Sequence, residues 1–207
     1  MSFVEYTNAD AAKAAFVNAM AGLGVEPTAS VDANALLFAA AANSASGVPV
    51  TQGGPGTLGT GTILKQSIAT AGDLIVTSIL VDLTGLNSGG TAGDIIGLNG
   101  SGAAYISRLS AANGTITAIR MTCLETPAGG DTDLDLYSAT EGTGVEDVAI
   151  STLTEVQLIN AGTQSSGTVT AAANVPAANT DYLYLVGQGT SNATYTAGKF
   201  LIELYGI

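Results

Sequence analysis

The stretch DLIVTSILVDL, at Asp73–Leu83, decides the fold class of this chain. It is a long run rich in Ile, Val and Leu, and from residue 63 onward it is one of several short apolar runs between turns. Runs of this composition between turn residues are typical of β-strands. We therefore expect Asp73–Leu83 to be a central strand of a sheet.

Three later stretches have the pattern of further strands. Asp133–Tyr137 (DLDLY), Tyr182–Val186 (YLYLV) and Lys199–Tyr205 (KFLIELY) alternate between two kinds of side chain. Alternation with a period of two places one kind on each face of a sheet. Because no helical pattern separates the strands, residues 63–207 are predicted to form an antiparallel β-sandwich, jelly-roll-like in its architecture.

Turn signals connect these strands. Asn113-Gly114 lies between two apolar runs and predicts a type I′ hairpin between Ala103–Leu109 and Thr115–Leu124. A second device recurs in TAGDLI (70–75), TAGDII (91–96) and, more loosely, TAGKFL (196–201). Its glycine predicts a residue of positive φ where the chain enters a strand.

The N-terminal part has a different character. Residues 1–46 are predicted to be a short helical segment, with helices over Ala9–Ala21 and about Ser30–Asn43. Residues 47–62 are rich in Gly, Pro, Ser and Thr and predict a linker or extended arm. The helices either reach a neighbouring molecule or pack on the β domain itself. In the first case the candidate assembly interface is Phe16, Val17, Met20 and Leu23.

Composition limits the function. The net charge is −12, with 17 acidic and 5 basic residues, and only 11% of residues are charged. The basic residues do not cluster: they are Lys13, Lys65, Arg108, Arg120 and Lys199. Nucleic-acid binding needs a positive surface, and so does docking on an anionic membrane. Neither partner is expected. No signal peptide or membrane-spanning stretch is recognised, so synthesis in a cytoplasm without export by the general secretory route is expected.

The chain has few side chains that could take part in catalysis. The chain has no histidine and one cysteine, Cys123, within an apolar run. A Ser-His-Asp or Cys-His site, and a zinc site, all need residues that are missing here. Cys123 is predicted to be a small buried core residue. We expect no enzymatic activity, no cofactor and no catalytic residue.

Acidic residues are densest at Asp131, Asp133 and Asp135. Alternate aspartates on a strand whose other face carries leucines are typical of a solvent-facing side, which is the favoured interpretation. Aspartates in a loop also bind Ca²⁺, and paired carboxylates serve in glycoside hydrolysis. The sequence leaves calcium binding open, and the prediction for metal ligands is none.

Tyrosines offer a second candidate surface. One hypothesis is that four tyrosine rings form a carbohydrate-stacking face: Tyr182, Tyr184, Tyr195 and Tyr205. The favoured alternative is that these tyrosines fill strand positions with their rings buried. The absence of tryptophan also weighs against a sugar site.

Two stretches resemble a known class of proteins. They are YISRLSAANGTITAIRMTCLETPAGGDTDLDLYSATEGT, at Tyr105–Thr143, and the end of the chain, Tyr182–Ile207. They resemble small β-rich virion structural proteins of tailed bacteriophages, especially marine ones. The resemblance covers about residues 63–207. It rests on the Gly/Thr/Asn-rich strands, the DLDLY strand and the aliphatic strand at the end, not on a site motif. It implies a β-sandwich displayed on the virion, often as a symmetric homo-oligomer.

Three functions follow as hypotheses. The first is a capsid decoration (cement) protein that binds the assembled shell, with the major capsid protein or other virion proteins as partners. The second is a carbohydrate- or receptor-binding module of a head fibre or tail structure. The third, an enzyme such as a depolymerase, is disfavoured by the missing acid–base groups.

Overall fold

The computed structural model describes residues 64–100 and 102–207, and this part of the chain is mainly β. It contains no α-helix within those ranges, only the 3₁₀ turns Ala111–Asn113 and Ile150–Thr152. The strands are β1 (Leu64–Ala71), β2 (Leu74–Asp82), β3 (Asn87–Ser88), β4 (Asp94–Ile95), β5 (Ser107–Arg108), β6 (Ile116–Ala128), β7 (Leu134–Ala139), β8 (Glu155–Ile159), β9 (Val169–Ala171), β10 (Tyr182–Gly187), β11 (Ala193–Thr194) and β12 (Ala197–Gly206).

The strands form two larger antiparallel sheets. The first has the order β1-β2-β12-β6-β9, and the second has the order β4-β10-β7-β8, with β5 also paired to β10. A small ladder joins β11 to β3. The predicted mainly β, antiparallel class is confirmed. The predicted helical segment (1–46), the linker (47–62) and the candidate interface Phe16, Val17, Met20 and Leu23 lie outside the described residues.

One hydrophobic cluster joins the two sheets. Ile79, Met121 and Phe200 of the first sheet and Leu136 and Leu185 of the second belong to it, and all are at most 1% exposed. Burial of apolar side chains at about 25 cal/mol per Å² is the main stabilising contribution in such a core. The predicted strand Asp73–Leu83 is an interior strand of the first sheet, since β2 pairs with β1 and with β12.

The alternation seen in the sequence is confirmed in full for one of the three stretches, Lys199–Tyr205, since burial alternates along all of β12. In DLDLY the two leucines are fully buried as predicted, but Asp135 between them is buried too. YLYLV differs, because β10 is buried on both sides from Leu183 to Gly187. A second cluster, which includes Tyr184 and Val186, covers the side of β10 that does not contact the main core.

The predicted hairpin at Asn113-Gly114 is wrong. Strand β5 pairs with β10 in one sheet, whereas β6 pairs with β12 and β9 in the other. Asn113 ends a 3₁₀ turn that Ser110 caps, and its buried amide donates to the Thr77 hydroxyl at 2.8 Å. Thr115 then exchanges backbone hydrogen bonds with Ile207, so the chain passes to the C-terminal strand instead of folding back.

The glycine turn device is confirmed for two of its three copies, and all three glycines have positive φ. Gly72, Gly93 and Gly198 have φ values of 63°, 97° and 131°. Gly72 turns the chain from β1 into β2, and Gly93 directly precedes β4. Gly198 instead lies inside β12, at a register shift against β6. Positive φ is the conformation that glycine adopts at least cost.

Candidate functional site

The outer face of the five-stranded sheet is the first candidate surface. It consists of the side chains opposite the shared core, and the strand register arranges them in rows. The rows are Asp82–Lys199–Glu125, Leu80–Leu201–Thr122–Val169, Ser78–Glu203–Arg120–Ala171 and Val76–Tyr205–Ala118. Across β2, β12, β6 and β9, rows with charged groups therefore alternate with rows that are mostly apolar, and Lys65 of β1 is paired with Leu80 at the end of one apolar row.

Charges on the outer face are paired with one another. Arg120 donates to Glu203 through Nε at 2.9 Å, and Lys199 contacts both Glu125 and, at 3.7 Å, Asp82. The hydrogen bond and charge of Glu203 raise the pKa of Arg120, and the hydrogen bond to Glu125 raises the pKa of Lys199. The outer face is thus close to neutral on a chain whose net charge is −12.

Two aliphatic side chains are exposed at one side of this face. Leu124 on β6 is 45% exposed and Val169 on β9 is 57% exposed. Val169 lies opposite Thr122, two residues from Leu124. Sequence analysis did not find this surface, because its rows join residues that are far apart in the chain and exist only once the register is known.

The acidic cluster differs from the favoured prediction. Asp135 was expected on a solvent face, but it is 1% exposed. Its carboxylate accepts hydrogen bonds from Gln157 Nε2 and from the backbone N–H of Ala161, both at 2.8 Å. The prediction failed because a side chain of the neighbouring strand β8 and the backbone of the segment after it bind this carboxylate. Asp135 joins these elements together instead of facing water.

Asp131 and Asp133 lie just before β7. Asp131 is 4% exposed and accepts a 2.9 Å hydrogen bond from the backbone N–H of Ser191. Burial raises the pKa of Asp133, and the negative charges of Asp135 and Asp131 raise it further. Within the described residues, no three His, Cys, Asp or Glu side chains are placed to hold a metal ion.

The four tyrosines do not form one surface. Tyr184 and Tyr195 are buried, as the favoured interpretation predicted, whereas Tyr205 lies on the outer face. Tyr182 is only partly buried; the Tyr105 ring centre lies 4.9 Å from its ring in an edge-to-face arrangement, and the same Tyr105 ring also contacts the buried Tyr184 at 6.4 Å. Arg108 covers the Tyr182 ring at 5.5 Å. A sugar-stacking face made of all four is excluded by this geometry.

Cys123 is a core residue, as predicted. It is fully buried in the shared cluster, and burial raises the pKa of its thiol. A thiolate nucleophile needs the opposite shift and an accessible sulfur.

In comparisons with protein-family models, curated proteins and solved structures, nothing matched this chain. Among the described residues, no helix has the length and apolar character needed to cross a bilayer. Function must therefore be argued from the residues and from the geometry.

Proposed function

We propose that this protein is a structural component of a bacteriophage virion, a decoration protein that binds the assembled capsid shell. The observation that carries the proposal is the pairing of its strands. Two further features support the proposal. They are the near-neutral outer face and the resemblance of Tyr105–Thr143 and Tyr182–Ile207 to virion proteins of tailed phages. On this proposal the protein is a component of the virion and not an enzyme.

The pairing pattern supports a jelly-roll sandwich. Eight of the strands, taken in chain order, are β2, β4, β6, β7, β8, β9, β10 and β12. The first pairs with the last, the second with the seventh, the third with the sixth and the fourth with the fifth. Such nesting arises when one long antiparallel hairpin rolls into two sheets with two Greek keys, which is the jelly roll of viral capsid and lectin domains.

The outer face supports docking on a protein shell. Covering an ion pair that is already formed on one surface leaves fewer unpaired charges to desolvate than covering isolated charges. The rows between the ion pairs present mainly Leu, Val and Ala, which pack without losing hydrogen bonds to water, and the hydroxyls of Thr122 and Tyr205 can find new partners across the contact. We assign the shell contact to this face, with Leu124 and Val169 at its most exposed part.

A carbohydrate- or receptor-binding module is the second candidate. Jelly rolls also occur as lectins, and the Tyr105–Tyr182 pair with Arg108 gives partly exposed aromatic edges. The burial of Tyr184 and Tyr195 removes most of the aromatic surface that a stacking site needs. The decoration role therefore explains more of the described surface.

Co-sedimentation with empty shells of the phage whose genome encodes this chain tests the proposal. The full-length protein is expected to bind saturably, at a fixed ratio to capsid subunits, and to show no signal on a glycan array. Glycan binding without shell binding would favour the second candidate instead. Light scattering on the same sample measures the expected homo-oligomer.

Single substitutions test whether the outer face is the surface that contacts the shell. Leu124→Asp and Val169→Asp add a charge on the outer face and are expected to weaken shell binding without changing the melting temperature. Ser151→Asp adds the same charge at an exposed position of the Ile150–Thr152 turn and serves as the matched control. Equal binding by all three variants would exclude the outer face as the contact.

A further inference from the structure

The chain contains two Asn-Gly pairs, Asn99-Gly100 and Asn113-Gly114, and the structure places them in opposite surroundings. Asn99 and Gly100 are both exposed, in a turn that follows β4. Gly100 has a φ of 72°, and a Cβ built on it would meet no atom of the described residues within 4 Å. Water therefore reaches the Asn99 side chain, and no described neighbour crowds the backbone that follows it.

The second pair is held by several contacts. Asn113 is fully buried, its Nδ2 donates to the Thr77 hydroxyl and its Oδ1 accepts from the Ser110 backbone, both at 2.8 Å. The N–H of Gly114 donates to the carbonyl of Ala111 at 3.2 Å. Both the side-chain amide and the following backbone nitrogen are thus engaged, and they can react with each other only if these hydrogen bonds open.

The reaction in question joins an asparagine side chain to the backbone nitrogen of the next residue. That nitrogen gives up its proton and forms a bond to the side-chain carbon Cγ, while the bond from Cγ to Nδ2 breaks. Ammonia leaves with the proton, and a succinimide ring remains. One water molecule then opens the ring at either carbonyl group, which gives aspartate or isoaspartate. Glycine in the following position favours ring closure, because it has no Cβ to obstruct it.

We propose that Asn99 is a site of spontaneous deamidation in the folded protein, and that Asn113 is protected from the same reaction. The product carries one more negative charge, which changes the net charge of the chain from −12 to −13. Leu98 packs against the core and Gly97 pairs with Asn87, so the change is confined to the exposed turn. The inference does not depend on the proposed decoration role.

Peptide mapping by mass spectrometry measures the two sites separately. Trypsin cuts after each basic residue, so Asn99 lies in peptide 66–108 and Asn113 in peptide 109–120, and fragment ions distinguish Asn99 from Asn87. The full-length protein is incubated at mildly alkaline pH, both folded and in guanidinium chloride. In the folded protein Asn99 is expected to deamidate at least about 10-fold faster than Asn113, which reacts only after two buried hydrogen bonds break. In guanidinium chloride the two rates should be similar.

A variant and a matched control complete the test. Asn99→Gln should abolish deamidation in peptide 66–108, because the longer side chain would have to close a larger, less favourable ring. Asn160→Gln, at an exposed asparagine that an alanine follows, should leave the rate in that peptide unchanged. Methylation of the peptide by an isoaspartyl methyltransferase detects isoaspartate. Equal rates at Asn99 and Asn113 in the folded protein, or undiminished isoaspartate in peptide 66–108 of Asn99→Gln, would overturn the proposal.

Discussion

The hydroxyl of Tyr195 donates a 2.9 Å hydrogen bond to the backbone carbonyl of Asp131, 64 residues earlier in the chain. Tyr195 is 1% exposed, and its ring lies so close to Gly130 that a Cβ there would be 2.6 Å from it. The contact joins the segment before β7 to the entry into β12. Burial raises the pKa of Tyr195 above the ordinary tyrosine value, so the donor stays protonated at alkaline pH as well.

Tyr195→Phe removes only this hydroxyl. We expect it to destabilise the protein by about 1–3 kcal/mol, because the buried carbonyl of Asp131 loses its donor. Urea denaturation followed by circular dichroism measures the change. Tyr205→Phe, on the half-exposed outer face, is the control and should stay within about 0.5 kcal/mol. Equal effects of the two variants would contradict the importance of the contact.

Asn113→Ala is predicted to destabilise the protein by about 2–3 kcal/mol. It removes the 2.8 Å bond to the buried Thr77 hydroxyl and the 2.8 Å bond that Asn113 Oδ1 accepts from the Ser110 backbone. Asn160→Ala at an exposed position is the matched control. If Asn113 acted only as a hairpin residue, both variants would have small and similar effects in urea denaturation.

Gly206→Ala should also destabilise, here by crowding. A Cβ on Gly206 would lie 2.0 Å from the carbonyl oxygen of Asn113, so the backbone must move. Overpacking of this kind costs about 1–3 kcal/mol. Gly102→Ala meets no atom within 4 Å and should leave the midpoint of thermal unfolding almost unchanged. A Gly206→Ala variant as stable as Gly102→Ala would show that the close approach is absent.

Cys123 is predicted to resist thiol reagents in the folded protein. Its side chain is fully buried and burial raises the pKa of the thiol, so little thiolate is accessible. Labelling with a chromogenic disulfide at pH 8 should be slower than in urea by about 10³-fold or more, a factor set by the folding equilibrium. Rapid labelling without denaturant would contradict the core position. Because the chain has one cysteine, the assay reports on this site alone.

Local patterns predicted the strands well but not their partners. The run at Asp73–Leu83 and the alternation in Lys199–Tyr205 depend on burial of one face, which the sequence records directly. The hairpin at Asn113-Gly114 failed because a buried amide contact with Thr77 and pairing with Ile207 outweighed a local turn preference. Pairing between distant strands is decided by the whole core, and two residues do not reveal it.

For the candidate surfaces, too, local patterns predicted core positions but not the contacts between distant parts of the chain. Alternation of Asp and Leu correctly placed Leu134 and Leu136 in the core, but it placed Asp135 in water. A two-residue period states which side chains share a face and not whether another element covers that face. The ion-paired rows of the outer face were missed for a related reason: Lys199 and Glu125 are 74 residues apart and meet only through the register.

Alkaline pH should expose the contribution of Tyr184. Its hydroxyl donates to the carbonyl of Glu141 at 2.7 Å, and burial raises its pKa from 10.0 to about 12. Between these values the unfolded chain loses the proton while the folded chain keeps it, so stability falls as pH rises. Below pH 10 the native protein should be more stable than Tyr184→Phe by about 1–2 kcal/mol, the value of a buried hydrogen bond.

The difference between the two proteins is therefore expected to shrink as the pH rises from 10 towards 12. Urea denaturation at several pH values measures it, and absorbance of tyrosinate in the native protein shows whether Tyr184 stays protonated over the same range. A stability difference that is constant up to pH 12 would mean that Tyr184 ionises equally in both states. That result would contradict its burial between β10 and the Glu141–Gly144 loop. A phenol that is solvated in both states has the same pKa in both and makes no pH-dependent contribution to stability.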